Sequence, residues 1–70
     1  MWSEGFIDGY KFYCKHYDEG SKFGIDGGRI SKLSIRKDGI EVVSYERGWD
    51  KKPKAEADKA VFKKICEKFN

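Results

Sequence analysis

The sequence predicts an α+β domain: a four-stranded antiparallel sheet made of two hairpins, with one C-terminal helix packed on one face. Two dipeptides and one periodic stretch carry that expectation. Asp8-Gly9 and Asp38-Gly39 each interrupt a run of alternating residues. Asp-Gly in that setting is a strong hairpin signal, because a type I′ turn needs positive φ at both central residues. Val61, Phe62, Ile65 and Phe69 recur at helical spacing. The 70 residues form one small domain, 1–70, of a size that buries roughly 60% of the surface its unfolded chain exposes. Aromatic residues make up 16% of the chain, supplying burial that so short a chain otherwise lacks.

In the first hairpin, the Asp8-Gly9 turn opposes Ile7 with Tyr10, Phe6 with Lys11 and Glu4 with Tyr13. One face then holds Ile7, Tyr10, Phe12, Cys14 and His16. The other holds Trp2, Phe6, Lys11, Tyr13, Lys15 and Tyr17. Both faces contain rings, so this hairpin alone does not mark its solvent side. Residues 18–28, DEGSKFGIDGG, are polar and glycine-rich, with Phe23 and Ile25 as anchors to the body of the domain.

In the second hairpin, a two-residue loop at Asp38-Gly39 pairs Lys37 with Ile40, Arg36 with Glu41, Ile35 with Val42 and Leu33 with Ser44. Leu33, Ile35, Ile40 and Val42 then share one face. Lys32, Ser34, Arg36, Glu41, Tyr45 and Arg47 share the other. A three-residue loop mixes the two sets, and a one-residue slip flips every side chain, so the segregated register is expected.

Gly48-Trp49-Asp50 ends the second hairpin, and Lys51-Lys52-Pro53 leads into a helix over about 53–69. Proline in a first helical turn has no hydrogen bond to lose, and Asp50 is placed to cap nearby. Val61, Phe62, Ile65 and Phe69 form the apolar stripe, with Cys66 at its edge. Asp58 falls inside that stripe, where the first turn overhangs the core close to the helix N-terminus. Burying the four large residues contributes roughly 1.5–3 kcal/mol each, comparable to the net stability of a small domain. The helix is therefore indispensable.

The net charge is only +3 although 39% of residues are charged, which describes a globular chain and not a polyelectrolyte. The balance is uneven: residues 1–50 carry eight basic and nine acidic side chains, and 51–70 carry seven lysines against three acids. Met1-Trp2-Ser3-Glu4 has neither the basic nor the apolar region of a signal peptide, and no apolar run reaches the length of a membrane span. Two cysteines, Cys14 and Cys66, without an export signal point to reduced thiols in the cytoplasm.

The segments FIDGY, KHYDEGSKFGIDGGRISKL, IRKDG and RGWD together resemble a family of short uncharacterised proteins from Firmicutes and from the phages and mobile elements of those bacteria. The resemblance runs from about residue 2 into the helix. It implies a bacterial cytoplasm or a phage-infected cell, and an accessory or regulatory role there. It supplies no catalytic residues.

Four constellations bear on chemistry. Gly24-Ile25-Asp26-Gly27-Gly28 has the glycines of an anion nest. It lacks the lysine and hydroxyl of a P-loop, so a tight bend before the third strand is expected and no cofactor. Cys14 and His16 share a strand face, but structural zinc takes four ligands and the paired spacing is missing; no metal is expected. Catalysis by Cys14 with His16 lacks a third orienting group, so no enzyme is expected. The lysine-rich C-terminus has Lys63/Glu67 and Glu56/Lys59 at helix-pair spacing and reads as a solvated face.

The remaining constellation is aromatic and basic. Trp2, Phe6, Tyr13 and Tyr17 interleave with Lys11 and Lys15, and Lys32, Arg36, Tyr45 and Arg47 continue the face. Tyr, Trp and Arg are enriched at protein interfaces, and Glu4 and Glu41 share the face. The expectation is a non-enzymatic protein-binding module. The alternative is a single-stranded nucleic-acid binder, in which rings stack on bases and cations meet phosphates.

Overall fold

A computed structural model describes residues 1–70. The chain is α+β, with five strands in the order β1-β2-β3-β4-β5, each antiparallel to its neighbour, and one helix. The strands are β1 (Trp2–Ile7), β2 (Tyr10–His16), β3 (Ile30–Lys37), β4 (Ile40–Glu46) and β5 (Trp49–Lys51); the helix α1 spans Glu56–Phe69. Asp8 and Gly9 have φ of 52° and 83°, and Asp38 and Gly39 have 53° and 80°. Both hairpins therefore turn with two positive φ values, as the Asp-Gly dipeptides require.

The fifth strand corrects the expected four. After β4 the chain reverses at Arg47, whose φ is 57°, with the Glu46 N–H donating to the Gly48 carbonyl at 2.9 Å. Tyr45 then faces Trp49 and Ser44 faces Lys51. Three residues are too few for an alternation to register in sequence. What holds them is the Trp49 indole, which packs edge-on to Tyr45 at 5.1 Å and against Phe62 at 5.4 Å.

The helix also begins later than expected. Asp50 belongs to β5, Pro53 lies before the helix, and Ala55 is the N-cap with extended dihedrals and no side-chain cap. Asp58 accepts a hydrogen bond from the Tyr10 hydroxyl at 2.7 Å, which explains an acid on the apolar stripe. Val61 and Ile65 are fully buried, while Phe62, Cys66 and Phe69 pack against the core.

The helix covers the face carrying Tyr10, Phe12, Cys14, Leu33, Ile35, Val43 and Tyr45. Here the expected register of the second hairpin is right at the turn and wrong beyond it. Lys37 faces Ile40 and Arg36 faces Glu41, but Ile35 then faces Val43 and Leu33 faces Tyr45. Val42 is an extra residue in β4, a bulge. It brings Val43 and Tyr45 into the core, with Val42 packed at its margin, while Ile40, beside the turn and before the bulge, is 65% exposed.

The loop before β3 is pinned from inside. Ile25 is fully buried, and a short 3-10 turn, Ile25–Gly27, holds Asp26 and Gly27 at φ of 51° and 73°. The Asn70 side chain accepts from the Ile30 N–H at 2.9 Å and donates to the Ile25 carbonyl at 3.1 Å. Phe23, expected as a second anchor, has an exposed ring, and its carbonyl accepts from the Tyr45 hydroxyl at 2.8 Å.

Candidate binding face

Strand alternation divides β1 cleanly. Ser3, Gly5 and Ile7 oppose Cys14, Phe12 and Tyr10 on the helix side, and Trp2, Glu4 and Phe6 oppose Lys15, Tyr13 and Lys11 on the open side. Gly5 has a packing reason: a Cβ there would meet the Phe12 ring at 3.3 Å. The open face continues through Lys32, Ser34 and Arg36 of β3 to Glu41, Ser44 and Glu46 of β4.

The two halves of this face differ in how their charges are satisfied. On β3 and β4, Lys32 pairs with Glu46 at 3.4 Å and Arg36 with Glu41 at 3.9 Å. Glu41 also accepts from the Ser34 hydroxyl at 2.6 Å. On β1 and β2 the cations rest on rings. Lys11 Nζ lies 5.6 Å from the Phe6 centroid and 5.2 Å from that of Tyr13. Lys15 Nζ lies 5.8 Å from Trp2 and 5.6 Å from Tyr17, within reach of the ring quadrupole. The Lys15 ammonium beside it draws the Tyr17 phenol below its ordinary pKa. Trp2 is 59% exposed, Phe6 72% and Tyr17 48%.

Eight of the predicted residues thus come together: Trp2, Phe6, Lys11, Tyr13, Lys15, Tyr17, Lys32 and Arg36. Two do not. Tyr45 is only 6% exposed and belongs to the core, because the β4 bulge turns it to the helix side. Arg47 lies in the turn after β4, its guanidinium 4.5 Å from the Phe23 centroid. It borders a cleft of about 600 Å³ at the end of the sheet, with Lys15, Tyr17, Glu19, Lys32 and Glu46.

The glycine segment is a bend. The amides of Gly24, Gly27 and Gly28 donate to the carbonyls of Ser21, Gly24 and Ile25, leaving none of them to cradle an anion. Cys14 is fully buried, and desolvation, reinforced by Cys66, pushes its thiol up to about 11; it is a packed thiol and not a ready nucleophile. His16 Nε2 lies 2.9 Å from Ser3 Oγ, and its ring stacks on Phe69 at 4.8 Å. That Ser3–His16 contact was not visible in the sequence, because it spans the hairpin. No His, Cys, Asp and Glu side chains gather in threes with metal-ligating geometry, and no helix is long and apolar enough to cross a membrane.

A family model described as a domain of unknown function, DUF7678, matches residues 1–70. The chain belongs to the DUF7678 family. The match spans the whole of the domain described above, so both the open face and the pinned loop fall within it. No curated protein and no solved structure matches the chain.

Proposed function

We propose that this DUF7678 domain is a non-enzymatic protein-binding module, acting through the open face of β1 and β2. The observation that carries the proposal is the exposure of Trp2, Phe6 and Tyr17 on the sheet face that the helix leaves uncovered. Rings gathered on one face of a small domain mark an interaction surface. Glu4 stands among them, and Lys32 and Arg36 of β3 are already engaged by acids. That mixture suits a specific protein surface better than a phosphate backbone. The resemblance to short proteins of Firmicutes and their phages supports an accessory or regulatory role in a bacterial cytoplasm or an infected cell.

One observation favours a second reading, single-stranded nucleic-acid binding: Lys11 and Lys15 pair with rings and with no carboxylate. Fluorescence anisotropy with labelled oligo-dT and oligo-U separates the two. Protein binding predicts no micromolar association with these strands. Micromolar binding that weakens steeply between about 50 and 200 mM salt, and that Tyr13→Ala abolishes in a still-folded protein, would establish the nucleic-acid reading instead.

A further inference from the structure

The two edges of the sheet are built differently. One edge is β5, three residues long and followed by Lys52 and Pro53; short length, lysine and proline are the usual protections against strand addition. The other edge is β1, six residues, WSEGFI, with neither lysine nor proline.

The hydrogen-bond phase of β1 follows from its first residue. The Met1 N–H donates to the His16 carbonyl at 3.0 Å, and the His16 N–H donates to the Met1 carbonyl at 2.9 Å. Met1 and His16 are therefore a doubly bonded antiparallel pair. Bonded and non-bonded pairs alternate, so Ser3, Gly5 and Ile7 spend their backbone groups on β2. The N–H and C=O groups of Trp2, Glu4 and Phe6 point away from β2, along an edge with no neighbouring strand. These are the same residues whose side chains stand on the open face. A strand added there would set its own side chains directly beside the Trp2 and Phe6 rings.

We propose that β1 is a docking edge at which an extended segment of a partner protein pairs as an added strand, with apolar side chains opposite Trp2 and Phe6 and a basic side chain opposite Glu4. This rests on the protein-binding reading above and names the partner's chemistry. Charge complementarity selects the occupant. Glu41 and Glu46 on this face have ion-pair partners, while Glu4 has none. A second copy fits poorly. Two-fold antiparallel pairing centred on Glu4 sets Trp2 against the copy's Phe6, but brings the two Glu4 side chains face to face. Like charges directly opposite are destabilising. Symmetric registers centred on Ser3 or Gly5 put Glu4 against a ring and leave the other ring beyond the paired segment. A foreign strand with the pattern apolar-x-basic-x-apolar satisfies all three positions. Backbone bonds then supply affinity and the alternate side chains supply specificity.

The test titrates the protein with the synthetic peptide Thr-Val-Thr-Lys-Thr-Val-Thr, capped at both ends, while amide hydrogen exchange is followed by NMR. Saturating peptide is expected to slow exchange at Trp2, Glu4 and Phe6 by roughly tenfold or more. Replacing the peptide lysine by glutamate should weaken binding roughly fivefold, N-methylation at that lysine should abolish it, and Glu4→Lys should invert the preference between the two peptides. Failure of the lysine peptide to bind, binding that leaves the three amides unprotected, or an uninverted preference in Glu4→Lys would overturn the edge. So would self-association of the protein alone with those amides protected. A cellular partner that needs Tyr13 but leaves the three amides exchanging freely would overturn the edge and leave the face intact. A partner whose binding is indifferent to both Tyr13 and Phe6 would overturn the face itself.

Discussion

The Tyr10 hydroxyl donates to Asp58 Oδ1 at 2.7 Å and joins the start of β2 to the first turn of the helix. Asp58 is half-buried on a stripe otherwise apolar, and the bond to its carboxylate is the first cause of a raised Tyr10 pKa. Tyr10→Phe leaves that carboxylate without its donor. The melting temperature should fall by roughly 4–8 °C. A double-mutant cycle with Asp58→Ala checks the assignment, because the two losses should be distinctly less than additive.

Asn70 holds the glycine-rich loop against the end of the helix. Its side chain bonds the Ile30 N–H and the Ile25 carbonyl, and its own N–H donates to the Cys66 carbonyl at 2.9 Å. Asn70→Ala should cost about 1–3 kcal/mol by leaving those groups unpaired, measurable by urea unfolding. Gly28→Ala should be at least as damaging, since a Cβ there would collide with the Asn70 amide.

Stability should decline in mild acid because of His16. Its folded-state pKa is held below the ordinary 6.5, by burial first and then by repulsion from the N-terminal amine and Arg29. The unfolded chain therefore binds the proton more readily. The contribution is complete above the unfolded pKa and is lost as pH falls through that value toward the folded one. The melting temperature should be level above about pH 7.5 and drop between about pH 7 and 5. His16→Gln should flatten that drop relative to the native chain.

Both thiols should react slowly in the folded protein. Desolvation pushes Cys14 and Cys66 up to about 11, with Cys66 adding to the first and Asp26 to the second. Thiolate is then scarce at ordinary pH. Alkylation by iodoacetamide at pH 8 should be slow for both, Cys14 the slower, and should accelerate sharply in denaturant.

Much of the fold was legible because its strongest signals are local. Each Asp-Gly pair specifies backbone dihedrals at its own position, so both turns and the pairs beside them follow directly. The face assignment of β1 and β2 follows from the turn by alternation, and with it the grouping of Trp2, Phe6, Lys11, Tyr13 and Lys15. Alternation fails where a single residue is inserted. Val42 breaks the count, so alternation alone places Tyr45 on the open face although its ring belongs to the core. Two adjacent valines in a strand were the one local hint of that bulge. The short β5 had no such signal, because it is held by Trp49 packing on Tyr45 and Phe62, residues brought together only by the fold. The contacts of Asn70 with Ile25 and Ile30 span most of the chain and are invisible to any local pattern.

The most direct test of the binding face is affinity capture from nuclease-treated bacterial lysate, comparing the native protein with a Phe6→Ala/Tyr13→Ala variant shown by melting to be folded. Neither side chain is in the helix-side core, so the variant should keep its fold. Protein binding by this face predicts that a protein is retained in stoichiometric amount by the native chain, resists moderate salt, and is lost from the variant. Equal retention by the two, or retained material that is nucleic acid surviving the nuclease by protection on the protein, would contradict it.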